Sequence, residues 1–468
     1  MKKQKVKNPF FLVVAVLTIF SLLAASCTSD DGDETSTTDD EGNVVASDKE
    51  INVAIVGNGA MDSIEDLTPE FFTEETGIKV NYTVLEEQNL REVVTRDVSA
   101  EGDQFDVVMI GPYEAPQFGT DGLLTDLSAE EFAGGDEDYN LDDLIDPVRE
   151  ALSADGKLYA APFYAESSFV MYREDLLEAA GQEMPDAPTW DEVAAIARAV
   201  DSDDVAGICL RGKPGWGDLG ASFTTVLNTF GGTWWEANED GSIGEAQVDQ
   251  PEFKEALEFY VDLVNDAGQD DAATSSFPEC KSLYEAGEVA MWYDATVAAG
   301  FLEAADSPVA GKNGFAQAPI KVTDSSGWLW SWALAIPEAN ENKETAWEYI
   351  SWVTSSEYIE LAATELDGGW AAAPPGTRKS LYENEEYLAA AETFAAKTLE
   401  SISSADPDNP GTTPRPGVGG VQFVSVPEFQ DVGTRCSQEF SDAIAGTTSV
   451  DDALANCQEI ASEATAEQ

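Results

Sequence analysis

Histidine is missing from all 468 residues. That excludes Ser-His-Asp triads, Cys-His nucleophile pairs and every His-bearing zinc or iron site. Basic residues are scarce: 24 Lys and Arg stand against 90 Asp and Glu, for a formal net charge of −66. So acidic a chain repels polyanions, and neither nucleic acid nor an anionic lipid surface is expected as a partner. Among so many carboxylates an adjacent acidic pair says nothing about acid–base catalysis. Cysteine is held to five positions. Apolar runs long enough to span a bilayer as a helix, which takes ~20 residues, are absent throughout.

What is present begins at the N-terminus. Lys2, Lys3, Lys5 and Lys7 precede an apolar run from Phe10 to Leu23, and Ala24-Ala25-Ser26-Cys27 follows. A basic stretch, a short apolar stretch and small residues make an export signal over 1–26. The small residues before cysteine resemble a bacterial lipobox, although Ala24 stands where that motif favours leucine. The implied outcome is acylation of Cys27 and a lipid-anchored protein on the outer face of the cytoplasmic membrane. The alternative is an ordinary secretory signal. Residues 27–48 are mostly Ser, Thr, Asp, Glu and Gly, too polar to bury, and read as a flexible acidic tether. The remaining acids are scattered through patterned segments, as on a solvated surface. Their self-repulsion is screened by salt, so the melting temperature should climb with added NaCl.

Four cysteines remain in the body, Cys209, Cys280, Cys436 and Cys457. An even count in an exported chain favours two disulfides, with three possible connectivities. Cys436 and Cys457 lie in helix-like segments joined by Ala445-Gly446-Thr447-Thr448, so a bridge across that hairpin is plausible, which pairs Cys209 with Cys280. Buried free thiols are the alternative. Elsewhere strands and helices alternate: strand 51–56, helix 62–76 closed by Gly77, strand 79–85, helix 89–100, strand 105–110. That βαβαβ order implies a parallel sheet. A second set follows, with a capping box at Thr189–Glu192 opening a helix, a strand over 205–210 and a long helix from Pro251. About 420 residues arranged this way suggest two α/β lobes with a ligand cleft beyond the strand ends. Gly57-Asn58-Gly59 lacks the third glycine of a dinucleotide fingerprint and reads as a plain turn, so no cofactor and no metal are expected.

Several runs are familiar: Gln104–Tyr113 (QFDVVMIGPY), Pro162–Tyr172 (PFYAESSFVMY), Arg211–Gly217 (RGKPGWG), Met291–Gly300 (MWYDATVAAG), Gly327–Pro337 (GWLWSWALAIP) and Gly369–Tyr382 (GWAAAPPGTRKSLY). Over Cys27 to about Gln430 the chain resembles the extracellular solute-binding lipoproteins of carbohydrate ABC importers. Within them it is most similar to the sorbitol/mannitol-type polyol binders. It departs from their pattern in its acidic surface, its cysteines and Gln88. The resemblance implies the type 2 periplasmic-binding-protein fold, with a clamp that closes on one polyol or sugar and hands it to ABC permease subunits as a monomer. It implies three crossovers, giving one lobe of 49–163 plus 329–374 and a second of 164–328 plus 375–468.

Sugar hydroxyls both donate and accept, so a cleft that desolvates them needs charged partners. The expected ligand set follows. Asn58 and Tyr113 end strands, and Glu87 lies beside the departure at Gln88. Glu166 follows the first crossover; in related sugar binders a glutamate here reaches a hydroxyl, the alternative being a helix-start carboxylate. Arg211, Lys213 and Trp216 share a Gly/Pro-rich turn. Asp294 closes an apolar strand, as a ligand partner or an N-cap. Trp328, Trp330 and Trp332 recur with period two and face one side of a strand; one or two of them are expected in the core, and Trp330 is singled out for the cleft. Trp370 and Arg378 flank Pro374-Pro375-Gly376, with a plain salt bridge as the alternative for Arg378. Rival readings are an extracellular glycosidase using paired carboxylates, a surface scaffold, and a mono- or disaccharide binder.

Overall fold

The computed structural model describes residues 49–324, 327–417 and 419–466. The expected export signal, the acidic tether and Cys27 fall outside them. Eight strands form the two main sheets: β1 (Glu50–Val56), β2 (Lys79–Leu85), β3 (Val107–Ile110), β4 (Ala161–Glu166), β5 (Ser168–Arg173), β6 (Met291–Ala295), β7 (Asn313–Gln317) and β8 (Trp330–Ala335). The first sheet runs β2-β1-β3-β8-β4, with β1, β2 and β3 parallel and β8 antiparallel to both its neighbours. All four residues of β3 are buried, which is why this central strand reads as an unbroken apolar run. The second sheet, β6-β5-β7, is antiparallel.

The chain leaves the first sheet after Glu166 and enters the second at Ser168. It returns at Trp330. A third passage abuts the first: the Ala165 amide donates to Pro375 O at 2.9 Å. Gly376 is required there, because its φ is +80° and a Cβ would lie 2.1 Å from Ala165 O. Residues just beyond stay with the first group of elements, since Ile145 N donates to Thr377 O and Lys379 N to Asp143 O, each at 2.8 Å.

The helices follow their sequence signals. Asp62–Thr68, a π-helical turn at Pro69–Thr73 and Glu74–Thr76 run on until Gly77 stops them in the left-handed region. Helix Trp190–Val200 opens with the Thr189–Glu192 capping box. Helix Pro251–Ala267 buries Phe253, Ala256, Leu257, Tyr260, Val261 and Val264 on one face. Helices Phe429–Ile444 and Val450–Ala466 form a hairpin joined by the Cys436–Cys457 disulfide, and Cys209 pairs with Cys280. One expectation fails: residues 205–210 form no continuous strand. Ala206, Ile208 and Cys209 bridge Val289, Gly268 and Trp292 in turn, three separate partners instead of one ladder.

Candidate functional site

A cavity of about 110 Å³ lies where the carboxyl ends of β1 and β4 meet the turn after Leu210 and the start of helix Phe277–Ala286. One wall is aromatic. Trp330 and Trp332 project from β8, joined by Trp328 just before it and by Trp216 from the Arg211–Gly217 turn. Against these indoles lies Arg91, its guanidinium carbon 4.1 Å from the Trp216 ring centroid, 4.6 Å from Trp330 and 4.8 Å from Trp332. Helix Glu87–Ser99 delivers it: Leu90, Val94 and Val98 bury one apolar face, and Arg91 sits on that face. Glu87 and Glu114 hold the cation, at 2.8 Å to Nη2 and 2.9 Å to Nη1. Glu114 also accepts the Gly111 amide at 3.1 Å. Gly111 has to lack a side chain, because its Cβ would stand 2.2 Å from the Trp330 ring.

The opposite wall is ionic. Arg211 donates through Nε and Nη2 to the two oxygens of Asp294, at 2.8 and 2.7 Å, a bidentate pair with an Asp294 that is wholly buried. Its Nη1 reaches Asp218 at 3.4 Å and stands 3.9 Å from Glu87. Burial disfavours a charged guanidinium, but Asp294 first, then Glu87 and Asp218, raise its pKa well above the usual value. Glu87 thus faces both arginines, and Lys213 pairs with Glu86 beside it. Burial pushes the Glu166 carboxyl well above the usual range; Arg211 opposes the rise, and Asp294 and Glu87 add to it. Burial also raises Asp218 to about 7, with Glu87 adding and Arg211, Ser276 and Lys213 opposing.

Four polar atoms on this lining are buried without a hydrogen-bond partner: Glu166 Oε2, Trp216 Nε1, Trp328 Nε1 and Gln422 Oε1. Leaving each unmet costs about 1–3 kcal/mol. Two indole donors, an amide acceptor and a carboxyl that accepts when ionised and donates when protonated form a set that hydroxyl groups answer, since each hydroxyl donates and accepts.

Of the eleven expected ligand residues, Asn58, Glu87, Glu166, Arg211, Lys213, Trp216 and Trp330 line this cavity. Four do not. Asp294 stands one layer behind, consumed by Arg211, the Trp292 indole and the Ala295 amide. Tyr113 backs Trp216, with ring centroids 4.5 Å apart, and its hydroxyl donates to Val426 O and Pro427 O. Arg378 is buried far along the chain's return, donating to the carbonyls of Thr354, Tyr139 and Asn140 and lying 3.6 Å from Asp143. It serves backbone acceptors and a buried salt bridge to Asp143, so the salt-bridge alternative describes it and it does not border the cavity. Trp370 sits on the short helical turn Gly369–Ala372 and packs half-buried against the core. In the tryptophan stripe, Trp328 and Trp332 border the cavity as Trp330 does, and all three are buried.

The comparisons with known proteins meet this geometry. A family model for bacterial extracellular solute-binding proteins matches residues 57–360. The chain belongs to that family. A mannitol-binding protein of Pseudomonas aeruginosa is 42% identical to this solute-binding protein over 413 residues, covering 87% of this chain and 91% of the relative. The crystal structure of an ABC transporter solute-binding protein from Agrobacterium vitis S4, with bound D-mannitol, superposes with a TM-score of 0.85 at 46% identity, over 90% of this chain and 99% of that one. A ribitol complex from Agrobacterium radiobacter K84 has a TM-score of 0.75 at 22% identity, over 89% of this chain and 99% of that one, and shares the fold. With the two sheets and their crossovers, these likenesses establish the two-lobed type 2 periplasmic-binding-protein architecture. Solute-binding proteins of ABC importers capture and release, and this one is not an enzyme.

Sequence reasoning missed Arg91, Trp328, Trp332, Ser276, Phe277 and Gln422 on the lining of the solute-binding protein's cavity. Arg91 left a signal: an arginine on the apolar stripe of an amphipathic helix, four residues after a glutamate. Gln422 left none, since it lies in an irregular stretch and is positioned only by its Nε2 donating to Leu329 O at 2.9 Å.

Proposed function

We propose that this protein captures a single acyclic hexitol of the mannitol or sorbitol kind and delivers it to the permease of an ABC importer. The observation that carries the reading is the set of unmet polar atoms on residues that line one cavity, Glu166 Oε2, Trp216 Nε1, Trp328 Nε1 and Gln422 Oε1. The mannitol-binding relative and the D-mannitol complex point to the same class of ligand. An acyclic polyol lacks the flat face of a pyranose, and it pairs its hydroxyls with charged and amide groups on one side while its C–H edges lie along the indoles on the other. Asn58, Glu87, Glu166, Arg211, Lys213, Trp216 and Trp330 make the ligand set. Closure joins two lobes, about 49–163 with 329–374 and 164–328 with 375–468, and the Glu86–Lys213 and Glu87–Arg211 contacts hold the shut form. The mature protein works as a monomer outside the cell, tethered through acylated Cys27; Cys27→Ala should release it from membranes, and continued retention would rule the tether out.

Tryptophan-fluorescence titration at high salt tests the ligand. Saturable binding is expected with mannitol and sorbitol, weaker binding with xylitol, and none with maltose or trehalose. Failure of every polyol to bind would refute the assignment.

A further inference from the structure

The cleft does not end at the hexitol cavity. Tyr164 borders that cavity on one side and a second, larger one of about 530 Å³ on the other, and among the described residues it is the one that lines both. The two linings run in step along three segments. Asn58 faces the inner cavity and Gly59 the outer; Ala295 faces the inner and Thr296 the outer; Pro278 faces the inner and Lys281, a turn later, the outer. The cavities therefore adjoin along these segments, with Tyr164 shared between them and its hydroxyl accepting from Asn58 Nδ2 at 2.9 Å.

The outer length has a different chemistry. Its floor is apolar, with Phe163, Phe301 and Phe394 beside Pro374 and Pro375. Its rim carries Asp62 and Asp66 from one side and Lys281 and Glu285 from the other. Lys281 is 2.8 Å from Glu285, with its ammonium 5.4 Å from the Phe301 ring centroid. Thr398, 1% exposed, borders this cavity with a hydroxyl that has no hydrogen-bond partner. An apolar floor with charged groups at its edge suits a pyranose, which has a flat C–H face and equatorial hydroxyls around it. An acyclic polyol has no such face.

We propose that the cleft also accepts a glycosylated hexitol, the hexitol in the inner cavity and one glycosidically linked hexose ring in the outer, with the linkage passing Tyr164. This extends the hexitol reading and rests on it. The test is calorimetric titration with D-mannitol and with 1-O-α-D-glucopyranosyl-D-mannitol, using the full exported protein and an Asp62→Ala/Lys281→Ala variant that alters only the outer rim. The glucoside should displace mannitol one for one from the unmodified protein. In the variant its affinity should fall at least fivefold, while that for mannitol stays within twofold. A protein that binds mannitol but not the glucoside overturns this proposal alone. Glucoside affinity untouched by the rim substitutions, or both affinities lowered alike, overturns it as well. Binding of neither ligand overturns it together with the hexitol reading.

Discussion

Arg91 and Arg211 are both buried, both paired with more than one carboxylate, and both border the same cavity, yet they are built for different tasks. Arg91 lies flat among three indoles with Glu87 and Glu114 on its edges, so its guanidinium works as a packing plane as much as a charge. Arg211 spends two of its donors on Asp294 and turns the remainder towards Asp218 and Glu87. The first stiffens an aromatic wall and the second sets the electrostatics of the opposite wall. Glu87, touching both, couples the two sides. A planar cation suits both tasks because it stays charged when desolvated and offers donors in a fixed fork.

The largest expected effect comes from removing either cation. Arg211→Ala strands Asp294, which is fully buried, and breaking such a pair costs about 3–5 kcal/mol. Arg91→Ala strands Glu114 in the same way but leaves Glu87 better solvated, with a side chain 20% exposed, so its loss should be smaller. Chemical denaturation of the two variants ranks them; equal losses, or losses too small to measure, would erase the distinction drawn between the walls. Next comes Glu166→Gln. It keeps the shape and an acceptor but removes a carboxyl that burial already disfavours in its charged form. Hexitol binding should weaken by about 1–3 kcal/mol with no loss of stability, and unchanged affinity would show that Glu166 does not touch the ligand.

The smallest effect is the pH dependence of the ionic wall. Asp218 titrates at about 7 in the folded protein against 3.8 ordinarily, so between those values the folded state holds a proton that the unfolded chain has released. Its contribution to stability is full below about pH 4 and is lost as the pH rises through 7. Melting temperature at fixed high salt should therefore fall between pH 5 and pH 8, and Asp218→Asn should flatten that slope. A slope unaltered by the substitution would remove Asp218 from the account.

The parallel part of the first sheet is legible because β1, β2 and β3 are rich in β-branched and apolar residues and are separated by amphipathic helical segments, the first closed by Gly77, so local pattern suffices for them. The Arg211–Gly217 turn was legible because cations are rare in this chain, so two on one turn stand out. Asp294 stands at the expected strand end but one layer behind the cavity: a sequence locates a carboxylate on a strand, whereas the bidentate arginine that occupies it comes from 83 residues away. Arg378 misled for the reverse reason. A crossover flanked by prolines resembles a binding loop, and the carbonyls of Tyr139 and Thr354 that claim its guanidinium are brought there only by the completed fold. Gln422 and the unmet indole nitrogens depend on tertiary placement alone.

The Cys209–Cys280 bond fastens the segment bearing Arg211 to the helix that starts at Phe277, and residues on both sides of that tie border the cavity. Such a bond forms in oxidising surroundings and not in a reducing cytoplasm. The tie between these two segments of the ionic wall can therefore close only once the chain has left the cytoplasm.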